Sequence, residues 1–153
     1  MILFLDFDGV LHPFFPRRDR SDEENQLFSY LPRLEAVLRE FPEWKLVITS
    51  SWRENRPWEN VIQAFSQGIA ERIIGATPVI KAKEPPYPPH PRYDEVLAYL
   101  AANNLVEAAW IALDDDPRLY PAHCPNLILC DDGFREAEEV ALRAAMGRHH
   151  QNR

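Results

Sequence analysis

Three short apolar runs, each ending in an acidic or hydroxyl residue, constrain this chain more than any other feature. Ile2-Leu3-Phe4-Leu5 ends at Asp6, Leu46-Val47-Ile48 ends at Thr49, and Trp110-Ile111-Ala112-Leu113 ends at Asp114. Unbroken apolar runs of this length, with no polar alternation, are typical of strands covered on both faces. Ile73-Ile74, closed by Gly75, and Leu127 to Cys130 supply two further candidate strands. Between the runs, apolar residues recur at helical spacing. Leu31, Leu34, Val37, Leu38 and Phe41 form one such stripe, with Pro32 suited to a first helical turn. Pro57 opens a second, with Trp58, Val61, Ile62 and Phe65 on one face. A third runs from Arg92 to about Asn103 with Tyr93, Val96, Leu97 and Leu100 inward, and Phe134 to Met146 forms a closing helix.

Strands alternating with helices predict an α/β fold of the Rossmann-like, doubly wound kind, with a mostly parallel sheet and helices on both faces. The length of 153 residues fits a single domain over 1–153. Residues 11–30 and 75–91 are the two long interruptions, and both are too short to fold as independent domains. Within the second, Glu84-Pro-Pro-Tyr87-Pro-Pro-His-Pro91 forbids helix and central strand alike and must be an extended, stiff loop. The formal charge of −7 opposes broad attraction to nucleic acid or anionic lipid, although 17 basic residues leave room for a local patch. Cys124 and Cys130 lack zinc-ligand spacing and read as buried free thiols in a reducing compartment. Met1 is followed directly by the first apolar run, with no basic segment and no membrane-length stretch, so a soluble cytoplasmic chain is expected.

In open parallel sheets, ligands bind beyond the carboxyl ends of the strands, so the polar groups ending three separate runs can converge on one pocket. Asp6 and Asp8 lie at i and i+2 and project to the same side of an extended chain. Held together without a cation, one of them would be forced to keep its proton. A hard divalent ion such as magnesium, which takes oxygen ligands, removes that conflict. Gly9 lets the backbone turn tightly, so that amide N–H groups can face an anion. A calcium loop would need further acidic ligands at alternate positions, and Leu11, Pro13 and Phe14 do not provide them.

Asp6-Phe-Asp8-Gly-Val-Leu, then Val-Ile-Thr49-Ser-Ser, then Ala-Leu-Asp114-Asp115 resemble the signature motifs of the haloacid dehalogenase-like (HAD) superfamily, in that superfamily's order. With Ser50-Ser51-Trp52-Arg53 after the second motif, the chain is similar to a small capless branch found in some RNA-repair proteins. The resemblance implies a Mg2+-dependent phosphatase in which Asp6 is the nucleophile and Asp8 the general acid/base. It implies magnesium held by the Asp6 carboxylate, the Asp8 backbone carbonyl and the Asp114 carboxylate. Thr49 would bind a phosphoryl oxygen, with Ser50 in its place if the strand runs one residue longer. The acid at position 8 points to phosphatases and phosphomutases within the superfamily, and the lack of room for a cap favours hydrolysis over phosphoryl mutation. The superfamily's cationic residue corresponds to Arg92, which opens the helix before the Asp114 strand, or to Lys81 or Lys83 upstream.

Arg53 is expected at the pocket rim as a phosphate or substrate contact, with a surface salt bridge as the alternative. Trp52 and Trp58 read as packing residues. Asp115 either orients a group at the metal or closes a turn. Asp131-Asp132-Gly133 is placed as a cap of the last helix. His12 reads as an exposed loop histidine, and Phe14-Phe15-Pro16-Arg17-Arg18 occupies the flap position. An open site implies a phosphorylated substrate large enough to close the pocket, or a small one admitted freely: a nucleic-acid end, a phosphoprotein or a metabolite. A receiver-like signalling module, phosphorylated without turnover, is the competing reading. Its phosphoacceptor normally follows a third strand, whereas Asp6 follows the first.

Overall fold

The structure, a computed structural model, describes residues 1–151; the last two residues of the expected 1–153 domain lie outside that description. Five parallel strands lie in the order β3-β2-β1-β4-β5. They are β1 (Ile2–Leu5), β2 (Lys45–Ile48), β3 (Ile73–Ala76), β4 (Trp110–Asp114) and β5 (Leu127–Leu129). The main helices are α1 (Leu31–Glu40), α5 (Pro91–Ala102) and α6 (Glu136–Gln151). Three short helices, α2 (Trp52–Asn55), α3 (Trp58–Ile62) and α4 (Gln67–Ala70), connect β2 to β3. This is the expected doubly wound α/β architecture.

Side-chain alternation along each strand divides the core into two layers. Leu3, Leu5, Leu46, Ile48, Ile111 and Leu113 pack on one face, against Leu34 and Leu38 of α1 and Leu142 and Met146 of α6. Ile2, Phe4, Val47, Trp110 and Ala112 point to the other face and meet Val96, Tyr99 and Leu100 of α5. Because both faces are covered, polar alternation would have been costly, which is why the runs are uniformly apolar.

Three local readings need correction. β3 does not stop before Gly75 but runs through it, with a register shift opposite Leu46 and Val47. Trp58 lies outside the apolar face of its helix, 39% exposed, while Val61 and Phe65 are buried. Leu97 is 42% exposed, and Tyr99 takes the inward place it was expected to hold. In both helices the buried stripe is narrower than the apolar one, so an apolar residue at its margin stays in solvent.

Segment 11–30 and residues 77–90 contain no helix or strand beyond an isolated bridge between Asp8 and His12. Among the described residues, then, neither long interruption builds a cap. Cys124 and Cys130 are both free thiols; Cys130 is buried, but Cys124 is only partly so. No helix among the described residues is long and apolar enough to cross a membrane.

Candidate active site

The strand register assembles the site. Leu5 pairs with Ile48 on one side and with Leu113 on the other, so the next residues, Thr49, Asp6 and Asp114, line up across one end of the sheet. The ladder continues into that row: Thr49 N–H donates to Leu5 O at 2.9 Å, and Asp6 N–H donates to Leu113 O at 3.1 Å. β1 is the strand at which the chain reverses its direction of progress through the sheet. Asp6 therefore sits at the topological switch point, where such sheets bind ligands.

Asp6, Asp114 and Asp115 each bring a carboxylate oxygen within 4.8 Å of the others. Burial pushes the Asp6 carboxyl well above its usual range, and the Asp114 charge pushes in the same direction. Burial raises Asp114 to about 7, against the pull of the Asp116 backbone N–H and of Arg92. Asp115 is raised as well, again chiefly by burial. Asp114 Oδ1 accepts the Asp116 N–H at 3.0 Å, but Oδ2 is enclosed and has no hydrogen-bond partner. Three crowded carboxylates with an orphaned oxygen fit a hard divalent cation, which would take those oxygens as ligands. The side chain of Asp8 is not part of this cluster, and Asp115, which the sequence left between two roles, is.

Around the cluster, Thr49 is fully buried and its Oγ1 has no hydrogen-bond partner, an arrangement suited to donating to a bound anion. β2 ends before Thr49, and the Ser50 Oγ accepts the Trp52 N–H at 3.3 Å. Arg92, in the first turn of α5, places Nε 3.7 Å from Asp114 Oδ2 and lowers the Asp6 carboxyl by its charge. Of the three candidate cations, it is the one that faces the acidic cluster. Lys81 instead pairs with Glu54 at 2.9 Å on the surface, and Lys83 is exposed. The hydroxyl of Tyr120, buried and without a hydrogen-bond partner, is a further group that the sequence does not single out; burial, and then the charge of Asp114, raises its pKa well above the usual phenol value.

Four expected roles change. Arg53 is not free to bind phosphate, because all its N–H donors are engaged: Nε with Thr77 O, Nη1 with Thr49 O and Ser50 O, Nη2 with Pro78 O and Glu95 Oε2. It shapes the pocket from behind by fixing the carbonyls that end β2. Gly9 does not offer its amide to an anion, since that N–H donates to His12 O at 2.9 Å. Glycine is required there for two other reasons. The residue has φ +76°, and a Cβ would lie 2.1 Å from Asp115 Oδ2. Asp132 does not cap the last helix; it accepts the Phe14 N–H at 2.7 Å and pairs with Arg17, tying down the flap. His12, expected to be exposed, is buried beside Asp8.

Residues 2–138 match the family described as the HAD domain in Swiss Army Knife RNA repair proteins. The chain belongs to this family. Membership agrees with the capless HAD-like resemblance of the motifs and with the five-stranded parallel sheet, and it marks the chain as a phosphatase-type hydrolase. No curated protein and no solved structure matches it.

Proposed function

We propose that this member of the HAD family is a magnesium-dependent phosphomonoesterase working through an aspartyl-phosphate on Asp6. The observation that carries the reading is the convergence of Asp6, Asp114 and Asp115 within 4.8 Å, beside the unpartnered Thr49 hydroxyl. Magnesium, held by Asp6, the Asp8 carbonyl and Asp114, would offset the charge that otherwise keeps an anionic nucleophile from an anionic substrate. Asp6 attacks phosphorus through one carboxylate oxygen while the bond to the leaving oxygen breaks, and Asp8 supplies that oxygen with a proton. In the second half, Asp8 takes a proton from water, the water oxygen attacks phosphorus, and the bond to Asp6 breaks to release phosphate. Thr49 and Arg92 bind the phosphoryl oxygens throughout.

Asp8 is held below the usual carboxylate range, first by its hydrogen bond to His12. It is therefore ionised in the free chain, the form needed for the second half; the negative charge of a bound phosphate raises it for the first. The family description favours a nucleic-acid end among the three substrate classes, whereas the charge of −7 opposes extended contact with a polynucleotide. The absence of a cap among the described residues suits a substrate that closes the site itself.

Turnover of p-nitrophenyl phosphate that requires magnesium and vanishes in Asp6→Asn is the expected result. Undiminished turnover in Asp6→Asn, or in excess chelator, would overturn the reading. A single stoichiometric phosphorylation without turnover would instead mark a receiver-like module. Oligonucleotides with phosphorylated ends, phosphopeptides and small phosphate esters, screened against the same control, assign the substrate class.

A further inference from the structure

Two side chains given no catalytic role so far close around the Asp8 carboxylate. His12 Nε2 lies 2.9 Å from Oδ1, and Trp52 Nε1–H donates to Oδ2 at 3.2 Å. The other nitrogen of the imidazole, Nδ1, accepts the Phe28 backbone N–H at 3.1 Å. A backbone N–H can only donate, so Nδ1 keeps its lone pair and the ring hydrogen of the neutral imidazole sits on Nε2, aimed at Asp8.

The surroundings keep the ring in that orientation. His12 is 2% exposed and meets the Phe28 ring edge-on at 5.3 Å and the Trp52 ring at 6.0 Å. Phe7, Phe28 and Trp52 pack edge to face against one another behind it. Phe28 has φ +61°, a left-handed conformation that a bulky side chain rarely adopts. Backbone strain of this kind persists only where the surrounding structure over-determines it. Here it belongs to the residue whose N–H selects the histidine tautomer.

We propose that His12 is a positioning residue for the acid/base step, fixing with Trp52 the rotamer of the Asp8 carboxylate that faces the leaving group. The two N–H donors engage one oxygen each, and the carboxylate they hold is still 28% exposed. This inference rests on the reading of Asp8 as general acid/base. Its distinctive consequence is selectivity: loss of the His12 N–H harms departure of poor leaving groups, which need a proton, far more than departure of good ones, which do not.

The test is the leaving-group dependence of kcat/KM across substituted phenyl phosphates, at saturating magnesium, for the full chain and for Asp8→Asn, His12→Phe, His12→Gln and Trp52→Phe. His12→Phe should lose about ten- to a hundredfold on phenyl phosphate, in keeping with the cost of a misplaced catalytic group. On p-nitrophenyl phosphate it should lose less than about threefold, because that leaving group departs with little need of a proton. His12→Gln, which can return an N–H to Asp8, should recover most of the difference. Trp52→Phe removes the other N–H donor to Asp8 while keeping an aromatic ring against His12 and Phe28, and it should show the same steepening if His12→Phe fails to fold. Equal losses on all substrates, or a glutamine variant no better than the phenylalanine one, overturn the proposal. An unchanged slope in Asp8→Asn, or no turnover by the parent chain, sinks the underlying reading instead. A steeper slope in Asp8→Asn alone sinks only the assignment of His12.

Discussion

Asp114→Asn replaces an enclosed carboxylate by an amide of the same shape, and burial sets the sign of its effect on stability. The Asp114 carboxyl is pushed up to about 7 from an ordinary value of 3.8. Between those values the metal-free folded chain holds a proton that the unfolded chain has released, so stability falls as pH rises through that window. A gap of about three pH units, at roughly 1.4 kcal/mol each, comes to on the order of 4 kcal/mol above neutrality. The asparagine has no charge to bury. Its Oδ1 can still accept the Asp116 N–H, and its amide hydrogens face the carboxylates of Asp6 and Asp115. Loss of the Asp114 charge also relieves Asp6, whose carboxyl it pushes upward. In excess chelator at pH 8, Asp114→Asn should therefore be more stable than the parent by roughly 2–4 kcal/mol. For a domain of this size that corresponds to a melting temperature roughly 4–16 °C higher. The two proteins should converge near pH 4. Saturating magnesium should reverse the order, since the parent gains by binding and the variant loses a ligand. Thermal melts from pH 4 to 8, with chelator or with magnesium, measure all of this. An asparagine variant no more stable than the parent at pH 8 in chelator would refute the argument that burial of Asp114 is what strains the metal-free site.

Gly9→Ala combines a positive φ with a Cβ 2.1 Å from Asp115 Oδ2, so it should displace Asp115 and cost about 2 kcal/mol or more. Chemical denaturation and a magnesium titration check this; an unchanged magnesium affinity would show that Asp115 does not contribute to the site. Arg53→Met takes from the buried Glu95 its nearest charge partner, leaving it only the longer contact to Arg92 at 3.7 Å and the Ile80 N–H, and frees the carbonyls at the end of β2. It should cost about 3–5 kcal/mol by denaturation, with little change in KM for p-nitrophenyl phosphate in the molecules that remain folded. A large KM effect at unchanged stability would return Arg53 to the phosphate.

How much of the site was legible in the sequence depends on how local each cause is. The apolar runs determined the strands, their double coverage and the polar residue at each end, because burial on two faces leaves a uniform pattern and a strand must end in something that can turn. Asp6, Thr49 and Asp114 could be named for that reason. The role of Arg53 was not legible. A guanidinium near a phosphate motif looks the same on paper whether it faces the ligand or the carbonyls behind it, and the approach of residues 77–78 and Glu95 is what engages its Nε and Nη2 donors. Gly9 was recognised as a turn residue, but the reason that excludes a Cβ, the Asp115 side chain, lies more than a hundred residues away. His12 was misjudged on the same ground: its burial comes from Phe28 and Trp52, which the chain brings back from two later segments. Sequence alone thus determined the sheet and the row of polar groups along its edge, since those follow from periodicity and apolar burial. Tertiary structure alone decided which donor meets which acceptor there, since a hydrogen bond depends on distances between segments that no local pattern records.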